Sequence, residues 1–397
     1  MTLSVIIVNY NVKYYLEQCL YSIYRSVGNI SLEVIVIDNA SGDGSPEYIS
    51  ARFPHILYIY NEKNSGFSSA VNQGIRLSRG EYILLLNPDT VLAEQTLPDV
   101  LSFMNDRPQA GACGVKMITS DGTFLPESKR GVPSPFSSFW KLIGIQNLFP
   151  ASRYFGGYYL SHLNEDSFHE VDVLAGAFMM LRRSVLEKTG LLDEDYFMFG
   201  EDIDLSCRVL RSGYKNYYLP FPILHYKGES TRKNSYQYVR VFYGAMDIFF
   251  KKHSSKYNAL YRWIVRLGIR LRMYLAMIPV SVKKITGNRL ALTKEEEKLS
   301  FLVFASERNI GYIRSICHRN KLKGRHHYVV AHESSSPQGH VLPFIDRNDF
   351  THVVYDVDAF SFSTIFHLMA AGNSQKIQLG LYSAQSKVLV TSQKCYI

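Results

Sequence analysis

The chain has 397 residues, of which 46% are hydrophobic and 20% charged, with a formal net charge of +9. This is the balance of a packed globular protein, long enough for two domains or one domain with an appendage. Five cysteines (Cys19, Cys113, Cys207, Cys317 and Cys395) lie far apart without CxxC or Cys/His spacing, which excludes a disulfide framework and a zinc site and fits a reducing cytosol. The first residues carry no basic n-region and no long apolar run, so no signal peptide is expected.

Short apolar runs alternate with helical stretches along the first part. Ser4–Val8 reads as a strand, the amphipathic stretch from Tyr14 to Val27 as a helix, and Val34–Asp38 as a second strand. Ile56–Tyr60 and Tyr82–Leu86 are the third and fourth strands, separated by helices near Pro46–Phe53 and Ser68–Arg79. Runs this short and continuously apolar predict an α/β fold with a mostly parallel sheet, helices on both faces and ligands at the carboxyl ends of its strands. A loop-rich region follows from Ser120 to Glu170. A second ordered block ends at Gly190, and Glu201 and Asp202 then begin a helix.

Residues Tyr236 to Lys284 read as helical and basic. Between Arg208 and Lys284 stand 16 Lys/Arg against two acids, Glu229 and Asp247. Arg262, Arg266 and Arg270 recur at i, i+4 and i+8, opposite Trp263, Ile264, Leu267, Leu271 and Leu275. The uncharged run Met273–Val282 is only about half of the ~20 residues that span a bilayer. A basic amphipathic helix with a tryptophan fits in-plane docking on a membrane; packing on its own protein is the alternative. A charged linker over Lys294–Leu299 precedes a small doubly wound block, in which FASERNIG stands where a dinucleotide site needs GxGxxG. The expected domains are therefore 1–235, catalytic; 236–290, basic and helical; and 291–397, Rossmann-like without a phosphate loop.

Several polar residues fall at predicted strand ends. Asp89, in LLLNPDT, is a carboxylate at a strand tip, able to hold a divalent cation whose shell phosphates complete, although Asn-Pro-Asp is also good turn chemistry. Asp38 heads the turn DNASGDGS, and NSGFSSAVNQG brings Asn64 and Asn72 with three glycines to a helix start, which suits phosphate or ribose. Glu201 and Asp202 follow the run YFMF, where burial raises a carboxyl toward a general base's needs; helix-starting acids also complement the macrodipole. His225 follows an apolar strand and is a candidate metal ligand.

Taken in order, SVIIVNYN, IDNASGDGS, NSGFSSAVNQG, LLLNPDT, AGAFMMLRR, FGEDIDLSCR and HYKGES resemble the family 2 glycosyltransferases of the GT-A fold, in the bacterial rhamnosyltransferase-like subgroup of surface-polysaccharide synthesis. The resemblance covers about Leu3 to Thr231. It implies Val8, Tyr10 and Asp38 at the nucleobase, Asn64 and Asn72 lining the donor pocket, and Asn87 and Asp89 at the Asp-x-Asp signature, with Asn87 in place of the first Asp. It implies Asp89 and His225 on Mg²⁺ or Mn²⁺, and Asp202 as catalytic base with Glu201 beside it.

The expected activity is inverting transfer from a nucleotide-sugar to a polyprenyl-diphosphate-linked saccharide, at the cytoplasmic face of a membrane. A deoxyhexose such as rhamnose on dTDP is implied by the subgroup alone. A nucleotidyltransferase would want a Gly-rich loop with a basic residue after Val8, and none is there. A non-catalytic, membrane-docked scaffold is the alternative. Nucleic acid is not an expected partner, because the basic stretch carries an apolar face rather than a groove-reading motif.

Overall fold

The computed structural model describes residues 1–133, 148, 152, 157–226, 235–255, 257–290, 299–341, 349–372 and 377–397, with 282–290 described as backbone alone. Lys227–Ser230 of the HYKGES string, residues 294–298 of the linker and most of 134–156 lie outside them.

The chain opens with β1 (Leu3–Asn9), α1 (Lys13–Arg25), β2 (Leu32–Asp38), α2 (Ser45–Arg52), β3 (Leu57–Tyr60), α3 (Phe67–Leu77) and β4 (Tyr82–Leu86). β1 is buried at every position, and its alternate side chains enter different cores. Leu3, Val5 and Ile7 join a cluster with Leu16, Leu20 and Ile23 of α1, while Ile6 and Val8 join one with Ala70, Val71 and Ile75 of α3. A continuous apolar run is thus the signature of a strand covered on both faces.

The sheet then grows beyond the four predicted strands. β5 (Thr90–Leu92), α4 (Thr96–Asp106), β6 (Ala110–Ile118), β7 (His169–Val171), β8 (Phe178–Arg182), α5 (Arg183–Thr189), α6 (Glu201–Arg211) and β9 (Lys215–His225) follow. The order is β3-β2-β1-β4-β8-β6-β9-β5, with β7 on β9. β3 to β4 form a parallel half, and β8 enters antiparallel to β4. Two consequences matter for the site: Leu86 of β4 stands opposite Phe178 of β8, and Thr90 of β5 opposite His225 of β9.

The predicted basic helical stretch is two helices, α7 (Tyr236–His253) and α8 (Ala259–Leu290). Ser254 ends the first helix and its backbone accepts from Tyr257 N–H (3.0 Å), so the break falls in a polar turn. Tyr236 meets Ser281 through a 2.5 Å hydroxyl contact, and Arg266 holds Asp247 through two bonds of 2.6 and 2.8 Å, which makes the pair an antiparallel hairpin. Ala245 and Phe249 of α7 pack with Cys207 of α6 and with Tyr196 just before it.

A second sheet follows: β10 (Phe301–Ala305), α9 (Glu307–Arg319), β11 (His326–Val330), β12 (His352–Asp356), α10 (Phe362–Gly372), β13 (Gln378–Ser383), β14 (Val388–Thr391) and β15 (Cys395–Tyr396), in the order β11-β10-β12-β13-β14-β15. The first four are parallel, the doubly wound arrangement, and a hairpin closes the edge. This sheet is joined to the first by one buried cluster that includes Val12, Val91, Leu224 and Tyr226 together with Leu302, Val353, Phe362 and Leu381. Glu94, just past β5, accepts from the N–H groups of Phe362 (2.8 Å) and Ser363 (3.0 Å) at the start of α10.

Candidate active site

The carboxyl ends of β1 and β2 form the first station. Asp38 is fully buried and accepts from Asn9 Nδ2 (2.7 Å), the Ser41 N–H (2.7 Å) and the Tyr58 hydroxyl (2.6 Å). The base contact that the resemblance implies is not seen here; the Asp38 oxygens organise the 38–45 loop. Val8 is 9% exposed and Tyr10 38%, so the tyrosine offers an open ring beside this loop. Asn39, which the sequence reading passed over, donates to Asn64 Oδ1 (3.2 Å) and to the Gly66 carbonyl (3.0 Å). Asn64 is exposed, at the rim. Gly66 has φ +88°, and a Cβ there would stand 2.7 Å from the Phe197 carbonyl, so only glycine closes this turn.

Asn72, expected in the donor pocket, is engaged with the loop after α5. It is 2% exposed; its Nδ2 donates to the Leu192 carbonyl and to Glu194 Oε1 (both 2.8 Å), and its Oδ1 accepts from the Leu192 N–H (3.0 Å). An amide with this much of its bonding capacity engaged pins the 191–195 loop to α3.

The second station is the turn after β4. Asn87 donates its backbone N–H to the Ala177 carbonyl (2.9 Å), which anchors the turn to the approach of β8. Asp89 is 3% exposed, and its Oδ1 lies 3.3 Å from Nε2 of His225. The pairing of Thr90 with His225 brings the two together. The His225 Nδ1 is buried without a hydrogen-bond partner among the described residues.

The third station is the start of α6. Phe199 (φ +70°) and Gly200 (φ +86°) are consecutive left-handed residues, a bend that turns the chain into the helix at Glu201. For phenylalanine this conformation costs of order 1–3 kcal/mol. Asp202 Oδ2 accepts from Arg130 Nη2 (2.6 Å) and the Gly176 N–H (3.2 Å), and its Oδ1 from the Ile203 N–H (2.8 Å). A Cβ on Gly176 would stand 3.3 Å from the Asp202 Cβ, so a small residue permits the approach. Arg130 is buried, and its Nη2 also donates to the Leu174 carbonyl (2.6 Å). The sequence signal for Arg130 was slight, a Lys-Arg-Gly in a loop without periodicity.

Glu201 is buried, and burial first, then the charge of Asp202, pushes its carboxyl up to about 8. Burial and the neighbouring charge thus favour its protonated form, while the Asp202 carboxyl lies against the Arg130 guanidinium. On the same helix Asp204 pairs with His253 of α7 (2.7 Å) and Arg208 (2.7 Å); burial opposes its ionisation, but these partners outweigh it and its carboxyl stays below the usual range.

The second and third stations meet. Asp202 is bonded to Gly176, the next residue Ala177 is bonded to Asn87, and Asp89 lies two residues further on. A carboxylate aligned by an arginine thus faces the same strand ends as an Asp/His pair. That arrangement suits deprotonation of a hydroxyl beside a polyanionic group.

Two family models match the chain: Glycosyl transferase family 2 over residues 4–190 and Glycosyl transferase family group 2 over residues 149–291. Residues 4–190 are thus similar to glycosyl transferase family 2. This glycosyltransferase is 27% identical over 312 residues to the N-acetylglucosaminyl-diphospho-decaprenol L-rhamnosyltransferase of Mycobacterium tuberculosis, covering 74% of this chain and 98% of that one. It is 25% identical over 182 residues to the rhamnosyltransferase WbbL of Escherichia coli, covering 44% and 64%. Among solved structures it is similar to Staphylococcus aureus TarS 1-349 in complex with UDP-GlcNAc, at a TM-score of 0.46, 17% identity and coverage of 75% and 78%.

Proposed function

We propose that this glycosyltransferase moves a sugar from a nucleoside diphosphate donor to a hydroxyl of a lipid-linked saccharide, with inversion at the anomeric carbon and Asp202 as general base. The observation that carries the reading is the bonded path from Asp202, at the start of α6, through Gly176 and Ala177 to the Asn87–Asp89 turn, which supports a base and an Asp/His pair acting on one substrate.

Asp89 and His225 fit Mg²⁺ or Mn²⁺. They offer one carboxylate and one imidazole nitrogen 3.3 Å apart. Such an ion usually keeps other positions for water and substrate phosphates, so two protein ligands suffice. When bound, the ion neutralises the charge that develops on the leaving diphosphate. The acceptor O–H gives its proton to the Asp202 carboxylate as its oxygen bonds to the anomeric carbon. The bond from that carbon to the diphosphate oxygen breaks with its electron pair leaving on the diphosphate, and a single displacement inverts the centre. Arg130 and the Gly176 N–H hold the carboxylate in place, beside a Glu201 whose burial favours its protonated form.

Val8, Tyr10, Asn64 and Asn87 border the donor side in this reading, with Asp38 and Asn72 as supports behind it. The name of the mycobacterial relative supports a deoxyhexose such as rhamnose as the donor sugar and a polyprenyl diphosphate saccharide as the acceptor. Residues 1–235 act as the catalytic domain, 236–290 as the basic segment that meets the inner face of a membrane, and 291–397 as an accessory domain. Among the described residues no helix is long and apolar enough to cross a bilayer, so that contact is peripheral in this reading.

The test is calorimetric titration of UDP, GDP and dTDP with and without Mn²⁺, on the wild type and Asp202→Asn. Metal-dependent binding of one nucleotide by both proteins is expected, with turnover lost by about 10²–10⁴-fold in the variant. Binding of none by a folded wild type would favour a non-catalytic scaffold, and near-normal turnover of the variant would remove Asp202 as the base.

A further inference from the structure

The hairpin of α7 and α8 encloses a groove of about 270 Å³ lined by Lys251, Ser254, Arg262, Trp263, Arg266 and Arg270. Four of these six side chains are cationic. Arg266 is neutralised by its two bonds to Asp247. Lys251, Arg262 and Arg270 form no ion pair among the described residues. Asp247 also acts on Lys251 and Arg270 at longer range, but one carboxylate against four cations leaves the concavity net positive, and their mutual repulsion is a cost that an anion relieves.

Beside the groove, α8 exposes an apolar stripe. Leu260, Ile264, Leu267, Leu271, Leu275 and Ile278 follow three- and four-residue spacing, and each is between 47% and 68% exposed. Helix geometry sets Arg262, Arg266 and Arg270 on the far side of the helix, centred roughly 140° from the middle of that stripe. Trp263, 63% exposed, stands at the border between them. Cations above, a tryptophan at the boundary and aliphatics below follow the order of a bilayer surface from phosphate to acyl chain.

We infer that this groove is a receptor for the phosphate of an anionic phospholipid, held by Lys251, Arg262 and Arg270, while the α8 stripe enters the acyl layer. The inference rests on the membrane-side reading above and gives it a ligand. Arg266 is the strut that keeps the groove open, because its bonds to Asp247 tie α8 to α7. The site is coupled to the catalytic helix: α7 ends in His253, which pairs with Asp204, two residues from Asp202. A lipid seated in the groove therefore fixes how the α6 helix start faces the membrane, from which a lipid-linked acceptor arrives.

The full chain is tested by flotation with phosphatidylcholine vesicles, with and without phosphatidylglycerol, at one ionic strength. The wild type should partition onto the anionic vesicles in preference to the neutral ones. A basic residue near such a surface contributes about fivefold, so Arg262→Gln with Arg270→Gln should weaken partitioning by about thirtyfold. Trp263→Ala should weaken binding to both vesicle types. Both arginines are exposed, so the double variant should keep its near-ultraviolet circular dichroism and its nucleotide affinity. Equal wild-type partitioning onto the two vesicle types would overturn the phosphate receptor, as would a double variant that binds like the wild type. A solution dimer that ignores vesicles, or tighter retention by single-stranded DNA than by anionic vesicles, would assign the surface to another occupant. Vesicle binding without any nucleotide binding would leave this inference standing and defeat the transferase mechanism instead.

Discussion

Glu201→Gln isolates the electrostatics of the acid pair. The wild-type carboxyl is buried, one of its oxygens has no hydrogen-bond partner among the described residues, and its pKa rises from the ordinary 4.5 to about 8. Below pH 4.5 the folded and unfolded chains both hold this proton, and its contribution to stability is fully present. Between 4.5 and about 8 the folded chain retains a proton that the unfolded chain releases, so stability falls as pH rises and the contribution is gone above about 8. At 1.36 kcal/mol per pH unit the interval has a ceiling of about 5 kcal/mol, and relaxation of the buried site brings the expectation to roughly 2–3 kcal/mol. Glutamine keeps the shape and never ionises. Urea denaturation of both proteins at several values between pH 5 and pH 8.5 should therefore show the variant gaining on the wild type by that amount as pH rises. Parallel stability curves would refute the raised carboxyl of Glu201.

Three further substitutions probe the supports. Gly176→Ala puts a methyl group 3.3 Å from the Asp202 Cβ, and displacement of the base should lower turnover by about 10–100-fold with nucleotide affinity intact by calorimetry; turnover within twofold of wild type would show that Gly176 does not set the position of Asp202. Gly66→Ala adds a Cβ 2.7 Å from the Phe197 carbonyl at φ +88° and should cost about 1–3 kcal/mol of stability and weaken nucleotide binding, both measurable on one sample. Glu94→Gln weakens the cap of α10 and should cost about 1–2 kcal/mol by chemical denaturation at pH 7. Burial opposes ionisation of Glu94, but the Ser363 hydroxyl and the Ser363 and Phe362 N–H groups outweigh it and hold its pKa below 4.5. The difference from Glu94→Gln should therefore be present above about pH 4.5 and close as pH falls through that lowered value.

The parallel half of the first sheet was legible because β1, β2 and β4 are continuous apolar runs, a pattern that depends only on burial of both faces. β5 escaped because Thr90–Leu92 is three residues long and acquires its identity from pairing with β9. β6 reads as AGACGVKMI, small residues chosen for close approach to Tyr214, Val209 and Leu174 rather than for strand propensity. The two-helix form of the basic segment is written in HSSKYN, a polar turn within a helical pattern, which charge counting obscures. At the site, Glu201 and Asp202 stood out because a Gly-Glu-Asp after aromatics has a local meaning. Arg130 did not, since its partner lies 72 residues away and nothing in its own neighbourhood asks for a cation. Asp38 and Asn72 illustrate a further limit: polar residues at strand ends and helix starts attract a ligand reading, and only the structure reveals the bonds by which they also hold their own loops.

The way the second sheet sits on the first decides how the chain can be handled. β5 ends the row of strands in the first sheet, and Val91, Leu224 and Tyr226 beside it are covered by residues from beyond position 300. The carboxyl ends of the second sheet, where doubly wound folds receive ligands, are spent on the same contact: Val357 accepts from Arg25, and Asp358 from Tyr21. An expression product cut at the linker would present a greasy wall and an unpaired strand together, the combination that drives chains to aggregate edge to edge. The last hundred residues are thus a permanent cladding, and the first sheet should be purified, crystallised and assayed only with them attached.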